Sequence, residues 1–298
     1  QAEDGIRDCL LSRGLGDVYK RQTQNSLMQW FGYCLIPTAK IQKCLYLLGE
    51  GANGKSIILL TLRNLLGDQN CSALEMAELF DRFKVARLRN RLVNLGTDIE
   101  TNNVLDARFK KLVSGEPQIA EMKHRDPFEF RPYAKLLFSA NEFIPSRDRS
   151  YGFFRRFQII RFERIFKESE QDQDLEETLH HDLPGIFNWA LLGLKKLIDN
   201  ECFITESAAM RNAFQEFNEA VNPVYTWSEE KLSFNPELEI RADILRSNYA
   251  EWCDEHGHRV LSSTQLGKEH KRLHPKIEKI RKRQKYDRGT YYSGVTIN

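Results

Sequence analysis

Gly49-Glu50-Gly51-Ala52-Asn53-Gly54-Lys55-Ser56 fits the pattern G-x-x-x-x-G-K-[ST] with no position forced. A loop that wraps phosphate oxygens with backbone N–H groups needs residues that tolerate positive φ and close approach, and Gly49, Gly51 and Gly54 are placed to supply them. Lys55 offers a point charge to the outer phosphates and Ser56 a hydroxyl to Mg²⁺, while the helix that starts here turns its positive end toward the anion. The flanks agree with this reading. Cys44-Leu45-Tyr46-Leu47-Leu48 reads as a short buried strand, and Ser56 to Gly67 as an apolar helix closed by glycine. Strand, glycine loop and helix in this order predict an α/β core with a phosphate-binding loop at Gly49 to Ser56.

The chain is long enough for one large or two ordinary domains: 298 residues, 41% hydrophobic and 29% charged, the composition of a soluble globular protein. Apolar runs such as Ile57 to Leu60 fall far short of the roughly 18 residues a membrane span requires, so no membrane partner is expected. Cys9, Cys34, Cys44, Cys71, Cys202 and Cys253 form no C-x-x-C pair or Cys/His cluster, which suggests neither a zinc site nor a disulfide framework and fits a reducing, cytoplasmic setting. Residues 1–22 lack a clear apolar period and resemble a translated sequencing adapter. They are expected to be non-native, with the native chain continuing upstream.

Leu27 to Leu35 reads as the end of an amphipathic helix stopped by Pro37, and Glu75 to Arg89 as short helical pieces that bury Phe83, Val85 and Leu88. Arg91 to Glu100 is a short, mostly apolar strand that delivers two carboxylates, Asp98 and Glu100, at its C-terminal end. Strand neighbours alternate faces, so both project to one side, where one can hold Mg²⁺ and the other orient an attacking water. A helix over Val104 to Val113 follows. Gln118 to Phe130 reads as a hairpin whose basic tip, Lys123, His124 and Arg125, can meet phosphates. Lys135 to Glu142 is a third strand ending in Asn141, a residue able to hydrogen-bond a terminal phosphate or a lytic water. Phe153 to Phe162 reads as a strand introduced by Arg155 and Arg156, candidates for a guanidinium that reaches a neighbouring subunit's nucleotide.

GEGANGKS, NLGTDIE, the KHRDPFEFRP hairpin with LLFSANE, and GFFRRFQIIRF stand in one order. Together they resemble a superfamily 3 helicase domain of the phage, plasmid and poxvirus-type primase-helicase family. The resemblance implies an AAA+-like P-loop ATPase core over residues 23–165, a ring assembly, a hexamer foremost, and ATP and Mg²⁺ as cofactors. By resemblance, Lys55 is the phosphate lysine, Ser56 the magnesium hydroxyl, Asp98 and Glu100 the acidic motif, and Asn141 the sensor. Arg156, ahead of Arg155, falls at the finger position. Lys123 and His124 fall on the hairpin that faces nucleic acid. The separated acids of Asp98-Ile99-Glu100 depart from the adjacent pair of many members and leave open which one activates water. The resemblance implies the C-terminal helicase part of a primase-helicase, since the family's helicase is usually the C-terminal half of a longer protein with a primase domain in front, and nothing in this chain resembles a primase active site.

Residues 166–222 read as a helical subdomain: an acidic helix from Gln171 to His181, a strongly apolar one from Leu183 to Leu197, and a third from Ser207 to Asn218. Asn222-Pro223 and Ser233 to Pro236 mark the expected linker region. Within 223–298, a helix from Arg241 to Cys253, a capped helix around Leu261 to Gly267 and a terminal strand at Gly289 to Ile297 suggest a winged-helix-like DNA-binding domain. Between Arg259 and Arg288 there are eleven Lys/Arg against three Asp/Glu. Single-stranded and duplex DNA are the expected partners. Two other classes compete with a replicative helicase: a non-catalytic DNA-binding or origin-recognition protein with a vestigial ATPase, and a small-molecule P-loop kinase.

Overall fold

The structure is a computed structural model that describes residues 17–97, 107–144, 146, 151–284 and 287–298. The chain divides into two compact units, Gln1–Phe217 and Asn218–Asn298.

The first unit is a mixed α/β structure. Its strands in chain order are β1 (Cys44–Leu48), β2 (Cys71–Ser72), β3 (Val93–Gly96), β4 (Gln118–Ala120), β5 (Phe128–Phe130), β6 (Lys135–Ala140) and β7 (Phe157–Arg161). β4 and β5 form a separate antiparallel hairpin; the other five make a parallel sheet in the order β2-β3-β6-β1-β7. The helices are α1 (Asp17–Cys34), α2 (Lys55–Leu66), α3 (Ala107–Val113), α4 (Tyr151–Phe154), α5 (Leu175–His181), α6 (Leu183–Asp199) and α7 (Ala208–Val221), and the boundary between the units falls inside α7.

All five residues of β1 are buried, because both faces of the sheet are covered. On one face Leu45, Leu47, Leu95, Leu137 and Ile160 pack with Trp30, Ile58, Leu62 and Ile186. On the other, Tyr46 meets Phe157, which stacks on Phe109 at 5.1 Å and touches Phe153 and Phe217 at 5.0 Å each. The alternation of Leu45, Tyr46 and Leu47 between faces is the two-residue period of a strand. α1 and α6 approach backbone to backbone at two glycines: a Cβ on Gly193 would lie 1.9 Å from Met28 O, and one on Gly32 2.3 Å from Leu194 N.

Three local expectations are corrected. Val85 and Leu88 are buried as anticipated, but Phe83 is 40% exposed. The Asp81 carboxylate accepts the Phe83 and Lys84 N–H groups at 2.7 and 2.9 Å, which sets Phe83 outside the following turn. Phe153 and Phe154 belong to the short helix α4 and not to a strand, since 153, 154 and 157 share one face of a turn closed by Arg156 N–H to Phe153 O at 3.1 Å. Ser233 to Pro236, expected in a linker, lies in a strand of the second unit.

That unit runs α8 (Pro223–Lys231), β8 (Leu232–Arg241), α9 (Ala242–Glu255), α10 (Ser263–Leu273), β9 (Glu278–Gln284) and β10 (Asp287–Ile297), with an antiparallel sheet in the order β8-β10-β9. Pro236 is tolerated because β8 is an edge strand whose register shifts opposite Ser293 and Val295. Ser262 caps α10: its Oγ accepts the Gln265 N–H at 3.3 Å, and the Gln265 side chain returns to the Ser262 N–H at 3.2 Å. Trp227, Leu245, Tyr249, Trp252, Leu266 and Val295 form the core.

His270 is buried in this core, and neither ring nitrogen has a hydrogen-bond partner among the described residues. Burial pulls its pKa down to about 4. An imidazole that stays neutral when folded but binds a proton when unfolded lowers stability as pH falls from its ordinary value of about 6.5 to about 4, by roughly 3 kcal/mol in all. His270→Phe should flatten that acid limb of the second unit's thermal unfolding curve. An unchanged acid dependence would contradict this.

Candidate functional site

The loop from Gly49 to Gly54 leaves the C-terminal end of β1 and enters α2 at Lys55. Its turn is made by Gly54, at φ 87, and by Ala52, at φ 51. Gly51 does not take a positive φ and a Cβ there would meet nothing within 4 Å, so the conformational demand assigned to Gly51 falls on Ala52. Gly49 is needed for another reason: its Cβ would sit 2.3 Å from Phe162 O and 2.5 Å from Asn53 Nδ2. The loop is stitched to the end of β6 through Gly49 N–H to Ala140 O at 3.1 Å, and to the segment that follows β7 through Phe166 N–H to Ala52 O at 2.8 Å.

Lys55 and Asn53 are buried, whereas Glu50, Ser56 and Asn141 are exposed. The Lys55 ammonium donates to Gly49 O, to Asn53 Oδ1 at 3.0 Å and to Asn141 Oδ1 at 3.4 Å. Asn141 follows β6 and Lys55 follows β1, and these strands pair in parallel, so their C-terminal ends bring together residues 86 positions apart. Among the described residues no side chain caps the N-terminus of α2, a helix start suited to an anion. Asn53 emerges as a clip that sequence position alone did not reveal: its Nδ2 donates to Glu50 O at 3.1 Å and Phe162 O at 3.4 Å while its Oδ1 holds Lys55. Asp98 and Glu100 lie outside the described residues.

Arg155 and Arg156 precede β7, at the N-terminal edge of the sheet. Cys44 N–H donates to Arg156 O at 2.6 Å, so these arginines and the glycine loop stand at opposite ends of β1, roughly 15 Å apart at about 3.3 Å per residue. The two arginines differ. Arg156 is 8% exposed, and its guanidinium donates to Lys110 O at 3.2 Å, Ser114 Oγ at 2.8 Å and Gly152 O. Arg155 is exposed. The preference for Arg156 as a group reaching outward is therefore reversed: Arg156 braces α3 and α4, and Arg155 is the available guanidinium.

The hairpin tip is as the alternation predicted. Gln118 pairs with Phe130 and Ala120 with Phe128, and Lys123, His124 and Arg125 are all exposed on a turn in which Arg125 N–H donates to Met122 O at 3.0 Å and His124 takes φ 62. Among the described residues no helix is long and apolar enough to cross a membrane.

A family of unknown function (DUF5906) matches residues 47–156, a span that holds the loop, the hairpin and both arginines. No curated protein matches the chain. Among solved structures, the A form apo structure of the NrS-1 C-terminal region aligns with a TM-score of 0.57 at 14% identity, over 97% of this chain and 78% of that one. The apo structure of the same region spanning residues 305–718 of NrS-1 gives 0.55 and 13%, over 99% and 75%. At that identity the likeness carries fold alone: this chain shares its mixed α/β architecture with the C-terminal region of NrS-1.

Proposed function

We propose that the chain is an ATP-dependent DNA helicase acting in replication, a superfamily 3 motor whose AAA+-like P-loop core works in a ring, a hexamer in the simplest form. The observation that carries this reading is the convergence of Lys55, Asn53 and Asn141 at the C-terminal edge of a parallel sheet, beside an uncapped helix start. A triphosphate fits these donors. Lys55 rests on neutral oxygens that it can exchange for phosphate, the exposed Ser56 hydroxyl is placed for Mg²⁺, and Asn141, once released by Lys55, can orient a water or the terminal phosphate. When bound, Mg²⁺ would supply neutralisation of phosphate charge. Asp98 or Glu100 is the proposed base.

Arg155 supports a shared site. It stands too far from its own chain's loop to act there, so in a ring it would serve the nucleotide of the next subunit. The hairpin tip of Lys123, His124 and Arg125 is the proposed contact with the DNA backbone. In the second unit, helix, strand, two helices and a two-stranded basic ribbon follow one another in the order of a winged helix, which supports duplex DNA as a further partner. ATP turnover by wild type and Lys55→Ala tests the assignment: loss of turnover in the variant is expected, and undiminished turnover would overturn it.

A further inference from the structure

β6 ends at Ala140, so Asn141 stands one residue beyond the parallel ladder. What aims its side chain toward Lys55 must therefore lie outside the sheet's own hydrogen bonds. On one side, Gly49 N–H donates to Ala140 O at 3.1 Å, so the glycine loop itself holds the residue before Asn141. On the other, the Tyr46 hydroxyl donates to Glu142 O at 2.7 Å, across 96 positions of sequence. The next residue, Phe143, lies against Phe217 with ring centroids 5.3 Å apart. Asn141 is thus bracketed by two carbonyls, one held by the glycine loop and the other by a side chain of β1.

Tyr46 has the surroundings of a fixed strut. It is 1% exposed, sits opposite Phe138 in the parallel register, and its ring meets Phe157 edge-on at 6.2 Å. A tyrosine confined in this way places its hydroxyl through packing rather than through a flexible stem. Burial pushes its phenol above the ordinary value of 10, the Ile144 N–H only partly offsetting this, so the hydroxyl remains a donor throughout the neutral range. A buried phenol needs a hydrogen-bond partner, and any carbonyl within reach would satisfy it. The one it takes belongs to the residue next to Asn141, where a small shift of backbone re-aims the amide. Phenylalanine at this position would fill the same space, keep the ring contact with Phe157 and release Glu142 O.

We propose that Tyr46 is a positioning residue for Asn141: by fixing the Glu142 carbonyl, its hydroxyl keeps the Asn141 amide aimed at the terminal phosphate or the attacking water. The proposal rests on the reading of Asn141 as part of an ATPase site. It adds to that site a residue that touches no nucleotide and lies outside the motifs on which the reading was built. Steady-state ATP hydrolysis by the full chain tests it. Tyr46→Phe should lower kcat about tenfold with the KM for ATP unchanged, since a slightly misaimed group costs rate rather than ground-state binding. Tyr46→4-aminophenylalanine, which returns an N–H donor to the same place, should restore turnover. Asn141→Ala should lower kcat on the order of a hundredfold. Tyr46→Phe added to Asn141→Ala should bring no further loss, because the hydroxyl then has nothing left to aim.

A hydroxyl that serves stability alone would lower turnover by the same factor whether or not Asn141 is present. That equality, wild-type turnover in Tyr46→Phe, or a change confined to KM would overturn the proposal and leave the ATPase reading standing. Absence of ATP hydrolysis by wild type would overturn both. Should Tyr46→Phe not fold, Tyr46→4-methylphenylalanine, which matches the aminophenylalanine in size but has no donor, is read against the same outcomes.

Discussion

Arg155→Ala is expected to leave stability unchanged and to lower ATP hydrolysis on the order of a thousandfold, whereas its neighbour Arg156→Ala is expected to destabilise the first unit by roughly 3 kcal/mol. The contrast follows from their surroundings. The Arg156 guanidinium is buried, and truncating it would take the guanidinium donor from the Gly152 carbonyl and the Ser114 hydroxyl and leave the Lys110 carbonyl with the Ser114 N–H at 3.1 Å. Arg155 is exposed, so its removal disturbs no packing, and any effect must come through what it reaches in an assembly. Thermal unfolding and turnover measured on both variants separate the roles. An unstable Arg155→Ala, or an Arg156→Ala that is fully stable but inactive, would restore the reverse assignment.

Gly193→Ala should cost the first unit about 3 kcal/mol or more, a large share of the 5–15 kcal/mol by which domains are stable. The added methyl would collide with backbone, at 1.9 Å from Met28 O, and neither helix can yield without opening the contact between α1 and α6. A rotamer change cannot relieve it. Gly51→Ala is the internal control: despite its place in the glycine motif it meets nothing within 4 Å and has no positive φ, so its melting temperature should match wild type. Equal melting temperatures for Gly193→Ala and wild type would contradict the close packing of these helices.

Local pattern carried much of the first unit. The strand, loop and helix from Cys44 to Leu66 follow from contiguous residues whose spacing serves one purpose, and the hairpin at 118–130 follows from alternation about a polar turn. What was illegible depends on partners distant in sequence. Whether Arg155 or Arg156 faces out is decided by Lys110 and Ser114, some forty residues earlier, and no property of the Arg-Arg pair anticipates it. Phe153 and Phe154 suit a strand by propensity, but an aromatic cluster closed by Phe109 and Phe217 draws them into a helical turn. Pro236 looked like a linker residue because strand propensity does not distinguish an interior strand from an edge.

The central claim is that the Lys55 site converts nucleotide hydrolysis into work on DNA. Steady-state ATP hydrolysis by the full chain, with and without single-stranded DNA, for wild type and Lys55→Ala, tests it most directly. Wild type should hydrolyse ATP faster when DNA is added, with the stimulation fading as salt rises, and Lys55→Ala should show no turnover in either condition. Hydrolysis indifferent to DNA, or turnover that survives in Lys55→Ala, would contradict the claim.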